Sequence, residues 1–208
     1  MCDNTTINDT TYYSLVKLMV SNIKYNIGLP FSTSEQSASI GSGFFISDRH
    51  ILTAAHVIRE SSSFMIQLPA HGQKYFEGEI VSVYPDFDLA LLKINNYTSK
   101  NYLPLGDSDR LTLGLTVFAL GYPDDSTVPL STKGTISGLR DDNIQTDAAL
   151  NPGNSGGPLL VFRLNKWRVI GINSSIFKDS DGAGFAIPIS YFKTVRTAML
   201  RENSVIIH

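Results

Sequence analysis

From Tyr12 onward the chain alternates between short apolar runs and clusters of Gly, Pro, Asn and Asp. The runs that read as strands are Leu15–Ser21, Ser39–Ile46, His50–Thr53, Phe64–Leu68, Lys74–Val83, Leu89–Ile94, Thr116–Leu120, Leu130–Leu139, Asn143–Thr146, Pro158–Phe162, Val169–Ser174 and Gly184–Ile187. Many short strands at regular spacing predict an all-β sandwich or barrel. A dozen is the count expected of two six-stranded antiparallel β-barrels. After Pro188 the period changes. Ile189, Phe192, Val195 and Met199 recur at helical spacing, which predicts an amphipathic helix over 189–202 with its apolar stripe against the second barrel. Residues 1–11 are polar and are expected to form a disordered tail. The folded unit then spans 12–208, with barrels over roughly 12–110 and 111–190.

Composition narrows the function classes. The 208 residues are 42% hydrophobic and 17% charged, with a formal net charge of −2. That balance, with no run of Lys and Arg, carries no nucleic-acid footprint. No apolar run approaches the ~18 residues that span a bilayer, so no membrane partner is expected. Cys2 has no second cysteine to pair with. The first residues also lack a basic stretch followed by an apolar core. Both observations lead to the expectation of an intracellular, cytoplasmic protein. No metal cluster, phosphate loop or dinucleotide fingerprint occurs, so neither metal nor cofactor is expected.

Three segments carry chemistry. In Asn151–Leu159 (NPGNSGGPL), glycines surround Ser155 and prolines bracket them. A nucleophilic serine needs such a tight turn, so that neighbouring N–H groups point at a developing oxyanion. In Leu52–Ile58 (LTAAHVI), His56 follows a strand and two small residues, where one helical turn can hold its ring; His50, His71 and His208 lie in polar, loop-like or terminal surroundings. In Tyr84–Ile94 (YPDFDLALLKI), Asp88 opens a strand that reads as buried, and Asp86, two residues earlier, is its competitor. Asp88 is the better orienting carboxylate because that role requires a fixed, largely buried position. The order His56, Asp88, Ser155 is that of the chymotrypsin fold, and differs from the orders of subtilisin and the α/β-hydrolases.

Taken together, GSGFFI (Gly41–Ile46), LTAAHV, DLALLKI, ALGYP (Ala119–Pro123), QTDAALNPGNSGGPL (Gln145–Leu159), VIGIN (Val169–Asn173) and GFAIPI (Gly184–Ile189) resemble the HtrA/Deg family of trypsin-like serine proteases. The resemblance runs from about Leu15 to Arg201. It implies two β-barrels with the site in the cleft, and an oxyanion hole formed by the N–H groups of Gly153 and Ser155 with Asn154 between them. Asn154 stands where secreted trypsins have an Asp that pairs with a freshly cut N-terminus, so zymogen cleavage is not the expected switch. No PDZ domain is expected in this chain, although the family usually carries one or two. A homotrimer built through N-terminal residues, here Tyr12 and Tyr13, is what the family's habit implies.

By the same resemblance Ala149 lies at the base of the substrate pocket, with Ile176 and Gly184 on its walls. Asp147 falls outside the base, so no buried charge is available to select Arg or Lys. Cleavage after small or medium aliphatic residues of unfolded or extended polypeptides is the expectation. The competing reading is a chaperone-like or peptide-binding module with a latent or vestigial site.

Overall fold

The computed structural model describes residues 6–24, 35–59, 61, 63–123, 126–140, 142–174 and 183–201. Among the described residues twelve strands occur in the predicted order: β1 (Leu15–Lys24), β2 (Glu35–Phe45), β3 (His50–Ala54), β4 (Ser63–Gln67), β5 (Tyr75–Tyr84), β6 (Leu89–Ile94), β7 (Thr116–Gly121), β8 (Leu130–Arg140), β9 (Asn143–Thr146), β10 (Pro158–Arg163), β11 (Lys166–Ser174) and β12 (Gly184–Pro188). The helices are α1 (Asp9–Tyr13), α2 (Ala55–Ile58) and α3 (Ile189–Arg201). The first six strands close a barrel in the order β1-β2-β3-β6-β5-β4, and the last six close another in the order β10-β11-β12-β9-β8-β7. Every neighbouring pair is antiparallel. Closure leaves neither sheet with an open edge, which is how an all-β chain avoids presenting unpaired backbone.

The strands form where the sequence can fill a barrel. Leu89, Ala90, Leu91, Leu92 and Ile94 are all buried, so β6 is packed on both faces. Val117, Ala119, Ile136, Ile144, Leu159, Val161, Ile170 and Ala186 form the interior of the second barrel. The larger cluster fills the first barrel, crosses the junction through Phe118, Tyr122 and Ile172, and ends on Ile189, Phe192, Val195 and Met199 of α3. Burying each of those four helical side chains contributes on the order of 2 kcal/mol. Ser108 Oγ accepts a hydrogen bond from the Ser190 N–H at 3.0 Å, at the start of that helix.

The structure departs from the sequence expectations in several places. The apolar stripe of α3, expected against the second barrel, joins the cluster that fills the first, and the helix packs on β5 as well as on β11 and β12. Residues 9–11, expected in a disordered tail, open α1. Asn8 caps that helix by accepting from the Thr11 N–H at 2.9 Å, and Thr11 is buried. Strand β11 begins at Lys166 rather than Val169, because Leu164 and Asn165 form a two-residue turn with φ of 50° and 59°. Positive φ at both central residues matches the twist of the flanking strands, so the hairpin pairs Arg163 with Lys166 directly.

Candidate active site

The chain reaches Asp88 through a 3₁₀ turn, Pro85–Phe87, at the end of β5. Asp88 is left-handed, with φ 51° and ψ 41°, a conformation that Asp tolerates better than most residues. Its N–H donates to Pro85 O at 3.0 Å and its carbonyl accepts from the Ala55 N–H at 2.9 Å. The carboxylate is thereby aimed at α2. Oδ1 accepts from the backbone N–H of His56 at 2.8 Å, and Oδ2 lies 2.7 Å from His56 Nδ1. An ionised carboxylate only accepts, so a neutral His56 carries its proton on Nδ1 and presents a lone pair at Nε2. Nε2 is enclosed and has no hydrogen-bond partner among the described residues. Asp86, the competing carboxylate, is exposed on the 3₁₀ turn.

Ser155 sits in the turn that leads into β10. The Asn154 N–H donates to Asn151 O and the Gly157 N–H to Asn154 O, both at 3.0 Å. Gly153 and Gly156 have φ of 95° and 85°, and neither has room for a side chain. A Cβ on Gly153 would run into Tyr122 O, and one on Gly156 into Thr53 Oγ1 and Ser42 O. Thr53 and Ala54 end β3, immediately before the helical turn that carries His56. The serine turn therefore rests on the strand end from which the histidine projects. Ser155 itself is only 6% exposed.

Asn154 is buried and its Oδ1 has no partner among the described residues. Ala149 is exposed, with its carbonyl accepting from Thr132 Oγ1 at 2.8 Å. Gly184 pairs with Thr146 across β12 and β9, and a Cβ there would meet Leu150 Cδ1 at 2.8 Å. Ile176 lies outside the described residues. The Asp147 carboxylate is taken up by Thr135, whose N–H and hydroxyl both donate to it. Those bonds hold the exposed Asp147 carboxyl below the usual aspartate range. His50 shares a 2.9 Å hydrogen bond with Ser47 at the opposite end of β3.

Three residues that sequence reasoning did not single out hold this turn. Ser42 and Thr53 come from the first barrel and bond across to it or to each other. Asn173, fully buried on β11, donates its side-chain amide to Leu120 O at 3.0 Å and Pro158 O at 3.2 Å, while its backbone carbonyl accepts from the Gly156 N–H at 2.8 Å. The available signal was a polar residue inside an otherwise apolar block: Ser42 in GSGFFI and Asn173 in VIGIN.

The sequence profile of the trypsin-like peptidase domain matches residues 41–172. The chain is 41% identical over 182 residues to Protease Do-like 1, chloroplastic, of Arabidopsis thaliana, covering 79% of this chain and 40% of that protein. It is 38% identical over 184 residues to a probable periplasmic serine endoprotease, DegP-like, of Pseudomonas putida, covering 82% and 37%. A protein of the same description from Bartonella henselae is 36% identical over 201 residues, covering 87% and 38%. The chain thus spans about two fifths of the length of the curated relatives it matches. These relatives overturn the expectation of a cytoplasmic location, since two of the three are named as periplasmic. The physical reason is that two closed barrels with substantial cores need no disulfide, so a lone cysteine does not report the compartment.

Proposed function

The chain belongs to the trypsin-like peptidase family, among its HtrA/Deg proteases, and we propose that it is a serine endopeptidase that uses Ser155, His56 and Asp88. The observation that carries this reading is the two-point hold of Asp88 on His56, at 2.7 and 2.8 Å, next to Thr53 and Ala54, against which Gly156 of the serine turn packs. Ser155 Oγ attacks the scissile carbonyl and its proton passes to His56 Nε2. The N–H groups of Gly153 and Ser155 accept the charge that develops on the carbonyl oxygen. His56 returns the proton to the leaving amine, and water then hydrolyses the acyl-enzyme by the same route in reverse. Asp88 keeps the imidazole in the tautomer that can do this, and stabilises its charged form.

The pocket reading follows from what is not offered to a basic side chain. Asp147, the acid nearest Ala149 in sequence, spends both carboxylate oxygens on Thr135. Cleavage after small or medium aliphatic residues is therefore proposed, with loose selectivity, because one methylene is worth only ~1–3 kcal/mol in an apolar pocket. The substrates are unfolded or extended polypeptides bound chiefly through their backbone. Assembly into a homotrimer through Tyr12 and Tyr13, which meet edge to face at 5.2 Å, belongs to the same proposal.

Digestion of casein by the wild type and by Ser155→Ala, with cut sites read by mass spectrometry, tests this. Loss of the nucleophile should lower turnover on the order of 10⁴- to 10⁶-fold. Equal cutting by the two proteins refutes the serine mechanism. Cuts clustered after Arg, Lys or aromatic residues refute the pocket reading alone. No cutting by wild type, and no labelling of Ser155 by a fluorophosphonate, would favour the peptide-binding module.

A further inference from the structure

One side chain bridges the two barrels at the serine turn and has no part in the triad. Ser42 lies on β2 of the first barrel and is 0% exposed. Its hydroxyl donates to Gly153 O at 2.6 Å and accepts from the Tyr122 N–H at 2.9 Å, both in the second barrel. Its own N–H donates to Ser155 O at 2.8 Å, and its carbonyl accepts from Thr53 Oγ1 at 2.7 Å. Ser42 thus joins β3, which leads to His56, to the turn that carries Ser155.

The consequence follows peptide by peptide. The unit between Gly153 and Asn154 has its carbonyl held by Ser42 Oγ and its N–H held by Asn151 O. The unit between Ser155 and Gly156 has its carbonyl held by the Ser42 N–H and its N–H by Asn173 O. Between them lies the unit that carries the Ser155 N–H, whose carbonyl accepts from Gly157. A planar peptide gripped through its carbonyl, with both neighbours pinned, has its N–H direction set. Gly153 is the residue that can rotate most freely, being a glycine at φ 95°, and Ser42 Oγ holds its carbonyl. We propose that Ser42 is a positioning residue for the oxyanion donors, holding the Gly153–Ser155 backbone in the orientation that receives the transition-state charge. This rests on the serine endopeptidase reading above.

Ser42→Ala removes one oxygen and leaves the Tyr122 N–H and Gly153 O without a partner in a closed interior. Three measurements separate positioning from mere support. Turnover should fall ~10- to 100-fold, with KM within about threefold of wild type. Affinity for a peptide boronic acid, which forms a tetrahedral adduct on Ser155, should fall by the same factor as kcat/KM. Hydrogen exchange at the Tyr122 amide should accelerate, and this is read without turnover. Ser42→Cys, of nearly the same volume and with a weaker donor, is measured in parallel and decides the matter if the alanine variant does not fold.

Turnover and boronate affinity within about twofold of wild type would overturn the proposal, as would losses that follow the unfolded fraction alone. Tyr122 exchange unchanged in both variants overturns the bridge itself. If the wild type neither cuts nor is labelled at Ser155 by a fluorophosphonate, the endopeptidase reading fails on its own. Tyr122 exchange then still judges the bridge, acceleration supporting it.

Discussion

Replacing Asp88 by Asn tests the site at the point where geometry leaves least freedom. The two carboxylate oxygens receive two N–H groups of one residue, the His56 backbone at 2.8 Å and Nδ1 at 2.7 Å. Asparagine offers one oxygen and one amino group. The backbone N–H can only donate, so the asparagine oxygen must stay in front of it. The amino group then faces Nδ1 at hydrogen-bonding distance and donates to it. His56 is driven to the tautomer with its proton on Nε2, where it cannot accept a proton from Ser155. The triad then loses its base, with an expected fall in kcat on the order of 10⁴, or about 5.5 kcal/mol of activation barrier.

The fold should survive the change. Asparagine tolerates the left-handed conformation of residue 88 as well as Asp does. The backbone bonds from residue 88 to Pro85 and from Ala55 are untouched, and the side chain is 25% exposed. Steady-state cleavage of a fluorogenic peptide, with circular dichroism to confirm folding, measures the effect. Asp86→Asn is the matched control and should stay within about threefold of wild type. Asp88→Asn retaining more than about a tenth of wild-type kcat would refute the tautomer argument. So would an equal loss in the Asp86 variant, which would point to a general field effect instead.

Other expectations are read more simply. Gly156→Ala should abolish measurable turnover, by about 10² or more, because a Cβ at φ 85° collides with Ser42 O and displaces Ser155; near-normal kcat would mean that the turn is not tied to β3. Tyr122→Phe removes a buried hydroxyl that has no partner among the described residues and whose ionisation burial opposes; melting should rise by about 2–4 °C, and a fall would reveal a hidden partner. Leu164→Asn relieves a left-handed leucine that is 96% exposed, so urea denaturation should show a gain of about 0.5–1 kcal/mol, and a loss would count against the turn assignment. Asp147 is held more acidic when folded than when unfolded, so its contribution is complete above the ordinary aspartate range and lost as pH falls through the folded value. Asp147→Asn should therefore be less stable than wild type at neutral pH, with the gap closing below about pH 4 in urea titrations; a gap independent of pH would show that the Thr135 bonds do not select the ionised form.

What the sequence made legible follows from how far each signal reaches along the chain. Strand β6 announces itself because five apolar residues and one lysine stand between a turn and a polar pair, and every one of the five is buried. The serine turn is legible because glycines at 153 and 156 are required locally, by φ as well as by space. His56 and Asp88 come out of chain order and of the strand beside each. The start of β11 is less visible, since Leu and Asn at 164 and 165 lack the glycine that usually marks such a turn. The capping of α1 by Asn8 is weaker still, because one asparagine among many polar residues gives no period to detect.

The residues that were missed share a cause. Ser42 meets Gly153 across 111 positions, Asn173 meets Leu120 across 53, and Thr53 serves β2 rather than its own strand. No local pattern encodes such a partner. What the sequence does contain is the cost that each would carry alone, since a polar side chain buried without a hydrogen bond destabilises by about 1–3 kcal/mol. A serine or asparagine inside an apolar strand is least costly when it finds a partner elsewhere in the fold. Here Ser42 finds one on the serine turn, at Gly153, while the Asn173 amide finds two on β7 and β10, at Leu120 and Pro158. The proposed catalytic side chains set which chemistry is open to the site, while the buried Ser42 and Asn173 bond to the backbone of the turn that carries Ser155.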